Sequence, residues 1–349
     1  MWKELKKNQK IRILFLVRLL TAIIMSTYLA KLNIWSDSFV NSVFAVGYRV
    51  FLICTPLAFF FFSFRILPAI VFIGLVGVGL SFYHVGLVAV ICVALSLAIS
   101  GYLTKLFLAT EGSGVAFNKV ALNIGSAIAG GLIFLHFSNN VLLLILALCM
   151  LITCILALFF KLDENSINIY QYNNLIIKKD TMGWFLLGVA TGIKFVAVFS
   201  VLAQYIIKNN GELPYWFGSL IIVNSIVVIF FQKYIIDILC NKSFETSLFI
   251  MIIAMLLIAF PNVFFAYTLI GATIWVALLS LFECVVTMFD KFSADNGSLI
   301  YKELAVGLGG GLAVFLAREF SEYIYLSGLV GIILIVIAYI NIKLVNYIK

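Results

Sequence analysis

The sequence predicts an all-α polytopic membrane protein with twelve transmembrane helices in two six-helix bundles. Three observations predict it. Hydrophobic residues make up 64% of the 349 and charged residues only 11%, whereas a soluble domain carries about 45–50% and about 25%. Mean hydropathy is +1.18. Apolar stretches of roughly the ~20 residues that cross a ~30 Å hydrocarbon core recur along the whole chain, and the Lys and Arg between them collect on alternate ends.

In order, the apolar stretches are 11–31, 40–62, 66–83, 86–106, 119–137, 141–160, 183–206, 216–238, 246–261, 265–288, 302–319 and 325–346. The third and ninth are short. The basic start "MWKELKKNQKIR" before the first stretch imitates a signal peptide. Its apolar run is long, however, and no small-x-small cleavage site follows, so it reads as a retained first helix. Of the 23 Lys and Arg, seventeen fall on the side of the two termini, among them Lys105, Lys242 and Lys302. Lys31, Lys208 and Arg318 fall on the other side, and Arg18, Arg49 and Lys194 fall within spans. Cytoplasmic loops retain Lys and Arg, which puts both termini in the cytoplasm and requires an even number of spans. The net charge of +8 therefore reports membrane orientation and is poor evidence for nucleic-acid binding.

The longest polar interruption runs from Lys161 to Gly183 and separates six spans from six. The chain accordingly divides into a bundle at 1–160, a cytoplasmic linker at 161–182 and a bundle at 183–349. A short amphipathic helix around Ile167–Ile177 is expected to lie at the lipid surface. The halves resemble each other weakly. Arg18 and Lys194 stand 176 residues apart, Lys105 and Glu283 178 apart. "FNKVALNIGSAIAGGLIF" in the fifth span is matched by "LIYKELAVGLGGGLAVFL" in the eleventh. Small residues such as Gly125, Gly130, Gly307 and Gly311 let helix backbones approach closely. The six cysteines lie in helices or at cytoplasmic ends and imply no disulfide framework. His84 and His136 sit near external helix ends, where interfacial roles outweigh metal ligation, and no cofactor is expected.

The topology resembles the major facilitator superfamily: six plus six helices, cytoplasmic termini and a cytoplasmic central loop. The resemblance is sharpest at "NIGSAIAGG", Asn123 to Gly131, which is similar to the Asn-x-Gly-x-x-x-Gly-Pro stretch of drug-efflux branches, with Ala129-Gly130 in place of Gly-Pro. The family's Gly-x-x-x-Asp-Arg-x-Gly-Arg loop between helices two and three is reduced to Arg65, and the copy after helix eight keeps Asp237 and Lys242 without the glycines. The resemblance implies a secondary transporter whose helices one, four, seven and ten line a central cavity. It also implies gating or packing roles for Asn123, Gly125, Gly130, Asp237, Gly307 and Gly311.

Arg18, Arg49, Lys194 and Glu283 are ionisable residues inside spans, with Lys105 and Glu111 flanking the end of the fourth. Such residues face a bundle interior or an aqueous cavity. Arg18, Lys105, Lys194 and Glu283 fall on the helices expected to line one. Two readings stay open for each. Lys194 is either a substrate contact or the partner of Glu283 in a structural ion pair. Arg18 either binds substrate or snorkels to the headgroups. Arg49 either joins the central site or pairs with Asp37 at the external end. Glu283 either carries protons or is ordinary interface.

The sharper readings make Arg18, Arg49 and Lys194 a positive site for an anion, with Phe195 and Asn224 contributing to the pocket. Glu283 is then the first candidate for proton coupling, since a buried carboxylate can exchange a proton. The predicted function is secondary transport of a small organic anion or zwitterion, proton-coupled and outward, by a monomer in a bacterial inner membrane. The partners are an anionic or amphiphilic solute, protons and lipid, and no nucleic acid. No enzyme is expected, because "GLGGG" (Gly307–Gly311) lacks the Lys-Ser/Thr of a phosphate loop. The alternatives are a lipid-linked sugar flippase of another twelve-helix fold and, further off, an envelope polysaccharide enzyme.

Overall fold

A computed structural model describes residues 9–61, 67–110, 114–159, 181–239, 243–295 and 299–347. The expected amphipathic helix around Ile167–Ile177 lies outside the described residues. The chain is an integral membrane protein of twelve helical spans. The first half comprises α1 (Gln9–Trp35), α2 (Ser38–Phe61), α3 (Leu67–Ser81), α4 (Leu87–Thr110), α5 (Gly114–Phe134) and α6 (Asn139–Leu158). In the second half, α7 runs from Thr181 to Asn210 through a π-helical turn at Ala197–Val201, followed by α8 (Phe217–Leu239) and α9 (Phe244–Ala259). α10 comes in two pieces, Leu269–Leu281 and Glu283–Asp295, and is followed by α11 (Leu299–Glu319) and α12 (Leu326–Tyr347).

Each apolar stretch read from the sequence becomes helical among the described residues, the tenth in two pieces, with most ends displaced by up to about five residues. Apolar composition selects helices because a bilayer offers no partner for unsatisfied backbone groups. Side-chain chemistry sets several ends: Ser138, Ser243 and Thr268 cap α6, α9 and α10 by accepting from the N–H groups of Val141, Thr246 and Gly271. Two boundaries matter for function. α10 reaches Asp295, well past the expected 288. α11 begins at Leu299, so Lys302, expected at the cytoplasmic edge of the span, lies a turn inside the helix and is wholly buried.

Glycines set how closely the helices meet. A Cβ on Gly192 of α7 would stand 2.7 Å from the backbone nitrogen of Gly310, and one on Gly309 of α11 would stand 2.7 Å from the carbonyl carbon of Val189. These two helices therefore pack backbone to backbone. Gly125 places α5 on α1, where a Cβ would fall 2.6 Å from both the Ala22 Cβ and the Leu19 oxygen. Ser26 and Ser126 hydrogen-bond at 2.7 Å across the same contact. Between halves, Gly130 of α5 meets Gly218 of α8 through their carbonyls, with Ile221 Cβ 3.0 Å from the position a Gly130 Cβ would take.

Among the described residues, several contacts join the halves at the end away from the chain termini. There Ser42 donates to the Gly311 carbonyl at 3.1 Å, Arg318 to the Ser36 carbonyl, and Ser38 to the Glu319 carboxylate. Asn33 of α1 is buried at the same end and makes five polar contacts. Its Nδ2 donates to the Leu29, Ala30 and Phe199 carbonyls, the last at 2.6 Å, and its Oδ1 accepts from Asn41 and Gln204. The Phe199 carbonyl belongs to the π-helical turn of α7. Such a turn shifts the hydrogen-bond register locally, and Asn33 supplies a partner there from the other half. The end away from the termini is thus closed by buried, hydrogen-bonded amides.

The adjacent glycines at 130 and 131 give a matched test. Gly130→Ala is expected to lower the thermal unfolding midpoint of the solubilised protein, by overpacking of about 1–3 kcal/mol. Gly131→Ala, whose Cβ would meet nothing within 4 Å, should leave the midpoint unchanged or raise it slightly.

Candidate functional site

Lys194 lies in the last turn before the π-helical segment of α7, with its side chain 2% exposed. Its ammonium pairs with the carboxylate of Glu283, which keeps 28% of its side chain open. Glu283 opens the second piece of α10, directly after Phe282 interrupts the helix with ψ near 4°. The ion pair therefore joins two spans at the points where each departs from regular α-helix. Of the two readings left open for Lys194, the pair is the one observed. The same pair makes Glu283 an interior group rather than an ordinary interfacial one.

Arg18 departs from the snorkelling alternative. It lies ten residues into α1 and is only 7% exposed, and its Nε is buried without a hydrogen-bond partner. Gly101 of α4 makes room for it: a Cβ there would stand 2.6 Å from Arg18 Nη1 and 3.1 Å from the Tyr48 hydroxyl. No ion pair to Arg18 is found among the described residues. A buried guanidinium without a counter-charge is costly.

Arg49 of α2 does not pair with Asp37. Asp37 instead accepts the Val40 N–H at 2.7 Å at the start of α2. Arg49 Nη1 lies 2.8 Å from Oε2 of Glu303 on α11, across the division between halves, with both side chains 16% exposed. The physical reason is the close run of α2 along α11. Gly307 and Gly311 have no side chains to hold it away, and the Arg49 and Val46 side chains pack directly over them. The Arg49 guanidinium also stands 5.1 Å from the Phe195 ring centroid and 5.7 Å from that of Tyr48, cation–π distances. Tyr48 thus reaches toward both arginines. Lys302 Nζ is 3.6 Å from the other Glu303 oxygen.

Three residues escaped the sequence reading: Tyr48, Lys302 and Glu303. The tyrosine carried no signal above its many neighbours. The Lys302-Glu303 pair stood at the expected edge of the eleventh span, where charges are ordinary, and only the helical register of "LIYKELAVG" (Leu299–Gly307) would have carried it further in. Asn224 is engaged within the second half, accepting from Ser280 of α10 at 2.7 Å. Asn123 is half-buried on α5. The side chains of Lys105 and Asp237, and all of Glu111, lie outside the described residues. Arg49, Lys194 and Lys302 stand beside the carboxylates of Glu283 and Glu303, whereas no ion pair to Arg18 is described.

No family model and no curated protein matches the sequence. Solved structures do match in fold. A POT family transporter in complex with 5-aminolevulinic acid superposes with a TM-score of 0.69 at 12% identity, covering 96% of each chain. A mutant of the nucleoside transporter NupG gives 0.71 at 12% identity, over 97% of this chain and 100% of that one. The human organic anion transporter MFSD10 (TETRAN) gives 0.62 at 11% identity, over 96% and 98%. These identities carry the fold, and a flippase built on another twelve-helix fold is set aside with it. The chain has the major facilitator-type fold, twelve helices in two six-helix halves.

Proposed function

We propose that this protein is a secondary active transporter that moves a small organic anion or zwitterion across a bacterial inner membrane by alternating access, coupled to protons. The observation that carries the reading is Arg18, a guanidinium more than nine-tenths buried, with an unpartnered Nε and no ion pair among the described residues. An arriving carboxylate or phosphate would supply the missing charge and the missing acceptor together. The fold supports the reading, since the three structural neighbours are transporters by their own descriptions. In this reading, halves at 1–160 and 183–349, joined by a linker at 161–182, rock about the site. With both termini cytoplasmic, Asn33, Asn41 and Gln204 hold the halves together at the periplasmic end.

Proton coupling rests on the Lys194–Glu283 pair. Protonating Glu283 would leave Lys194 a buried charge without its partner, a debt that a bound substrate anion can settle. The resemblance of the fifth span to efflux branches favours export. The ion pair favours a second reading of direction: if a proton on Glu283 and an anion on Lys194 are taken up together, the two travel the same way, and an inward proton gradient drives uptake.

Three outcomes are expected. Arg18→Ala should abolish gradient-driven anion flux in proteoliposomes while leaving thermal stability near wild type, because no described ion pair is lost; undiminished flux for every anion tested would refute the site. Glu283→Gln should retain anion binding but lose dependence on the imposed pH gradient, read as equal flux with and without it. Lys194→Ala should destabilise by about 3 kcal/mol, the cost of stranding a buried carboxylate. The double variant Lys194→Met with Glu283→Gln should recover most of that loss in a chemical or thermal melt without recovering transport.

A further inference from the structure

The Arg49–Glu303 pair is placed unlike the other ion pairs described. Lys194–Glu283 and Glu245–Lys343 each join helices of the second half, and Lys302–Glu303 lies within one helix. Arg49–Glu303 joins α2 of the first half to α11 of the second. It is neither sealed nor solvated, with both side chains 16% exposed. Aromatic surface from Phe195 and Tyr48 lies beside the guanidinium. Phe195 is also the chain neighbour of Lys194, so Arg49 abuts the site proposed above. A planar guanidinium with rings nearby is open chiefly along its edge, and a planar carboxylate fits that edge in the plane of the fork. Glu303 shows the seat in use: its carboxylate oxygen stands 2.8 Å from Arg49 Nη1.

We propose that Glu303 occupies, in the empty carrier, the seat that the substrate's carboxylate takes on Arg49, and that the substrate is an organic carboxylate with a flat apolar body. This rests on the reading of the protein as an anion carrier and narrows its substrate class. Because Glu303 and Arg49 belong to different halves, substrate seating removes a tie between them. Loading and release of the halves are then one event: the incoming carboxylate displaces Glu303 from the Arg49 Nη1 that it holds. Glu303 is a positioning residue in this scheme, and its removal should help binding while loosening the link between binding and motion.

Calorimetry on the full-length protein in lipid nanodiscs tests the proposal, with benzoate as probe and inorganic phosphate as comparison. Glu303→Gln should bind benzoate about tenfold tighter than wild type, the equivalent of one charge-assisted hydrogen bond that no longer has to be broken. Arg49→Lys added to it should erase the gain. Benzoate binding no tighter in Glu303→Gln and Glu303→Ala than in wild type, or phosphate bound in preference to benzoate, would overturn it. A wild-type readout guards against misfolded variants. Spin labels at Leu158→Cys and Met182→Cys, exposed ends of α6 and α7, on a background with the six native cysteines replaced by serine, should change separation when benzoate saturates; an unchanged distribution counts against the proposal. If Arg18→Ala abolishes benzoate binding while Glu303→Gln leaves it unchanged, this inference fails and the carrier reading stands. If Glu303→Gln tightens binding while Arg18→Ala leaves flux intact, the seat at Arg49 stands and the central role of Arg18 falls.

Discussion

The fold depends on how a chain that is 64% hydrophobic keeps charged groups inside itself. A cation in a low-dielectric interior needs a counter-charge or water, and this protein meets the need in three ways. Lys194 takes a carboxylate from a neighbouring helix of its own half. Arg49 takes one from the opposite half, with aromatic rings beside it. Arg18 has a glycine-made space and a nearby hydroxyl, and no described counter-charge at all. The gradation runs from paired, to tied across the division, to without a described partner.

The irregular backbone follows the same charges. Lys194 lies three residues before a π-helical turn, and Glu283 immediately follows a break in α10. Departures from α-geometry within a membrane survive only where freed backbone groups find partners inside the protein. Asn33 provides one for the Phe199 carbonyl. The same asparagine closes the end away from the termini, so the contact that stabilises an unusual turn in α7 also links α1 to it. A motion that separates the halves there must release the Phe199 carbonyl, which couples the shape of α7 near Lys194 to the opening of that end.

Glycine placement explains why these particular side chains meet. Gly192 and Gly309 draw α7 and α11 to backbone contact, and Gly307 and Gly311 let α2 lie along α11. Helix-to-helix attraction in a bilayer comes from packing and hydrogen bonds rather than from the hydrophobic effect, so close-fitting small residues decide neighbours. Arg49 meets Glu303 instead of Asp37 because of that fit. Two of the residues read from the sequence as packing positions, Gly307 and Gly311, lie directly beneath Arg49 and Val46.

Sequence alone determined the number of spans, their order and nearly all their limits, because the need for about twenty apolar residues per crossing is local and leaves a continuous mark in composition. It also singled out Arg18, Arg49, Lys194 and Glu283, since a charge within an apolar run is conspicuous wherever it points. Partnership was invisible. Glu303 lies 254 residues from Arg49 and Tyr48 looks like any membrane tyrosine. Lys302 passed for an edge residue of its span, because α11 starts three residues before it. Which charges are neutralised and which stay open depends on the distances between helices far apart in the chain, and those are set by small-residue contacts that leave no periodic trace in the sequence.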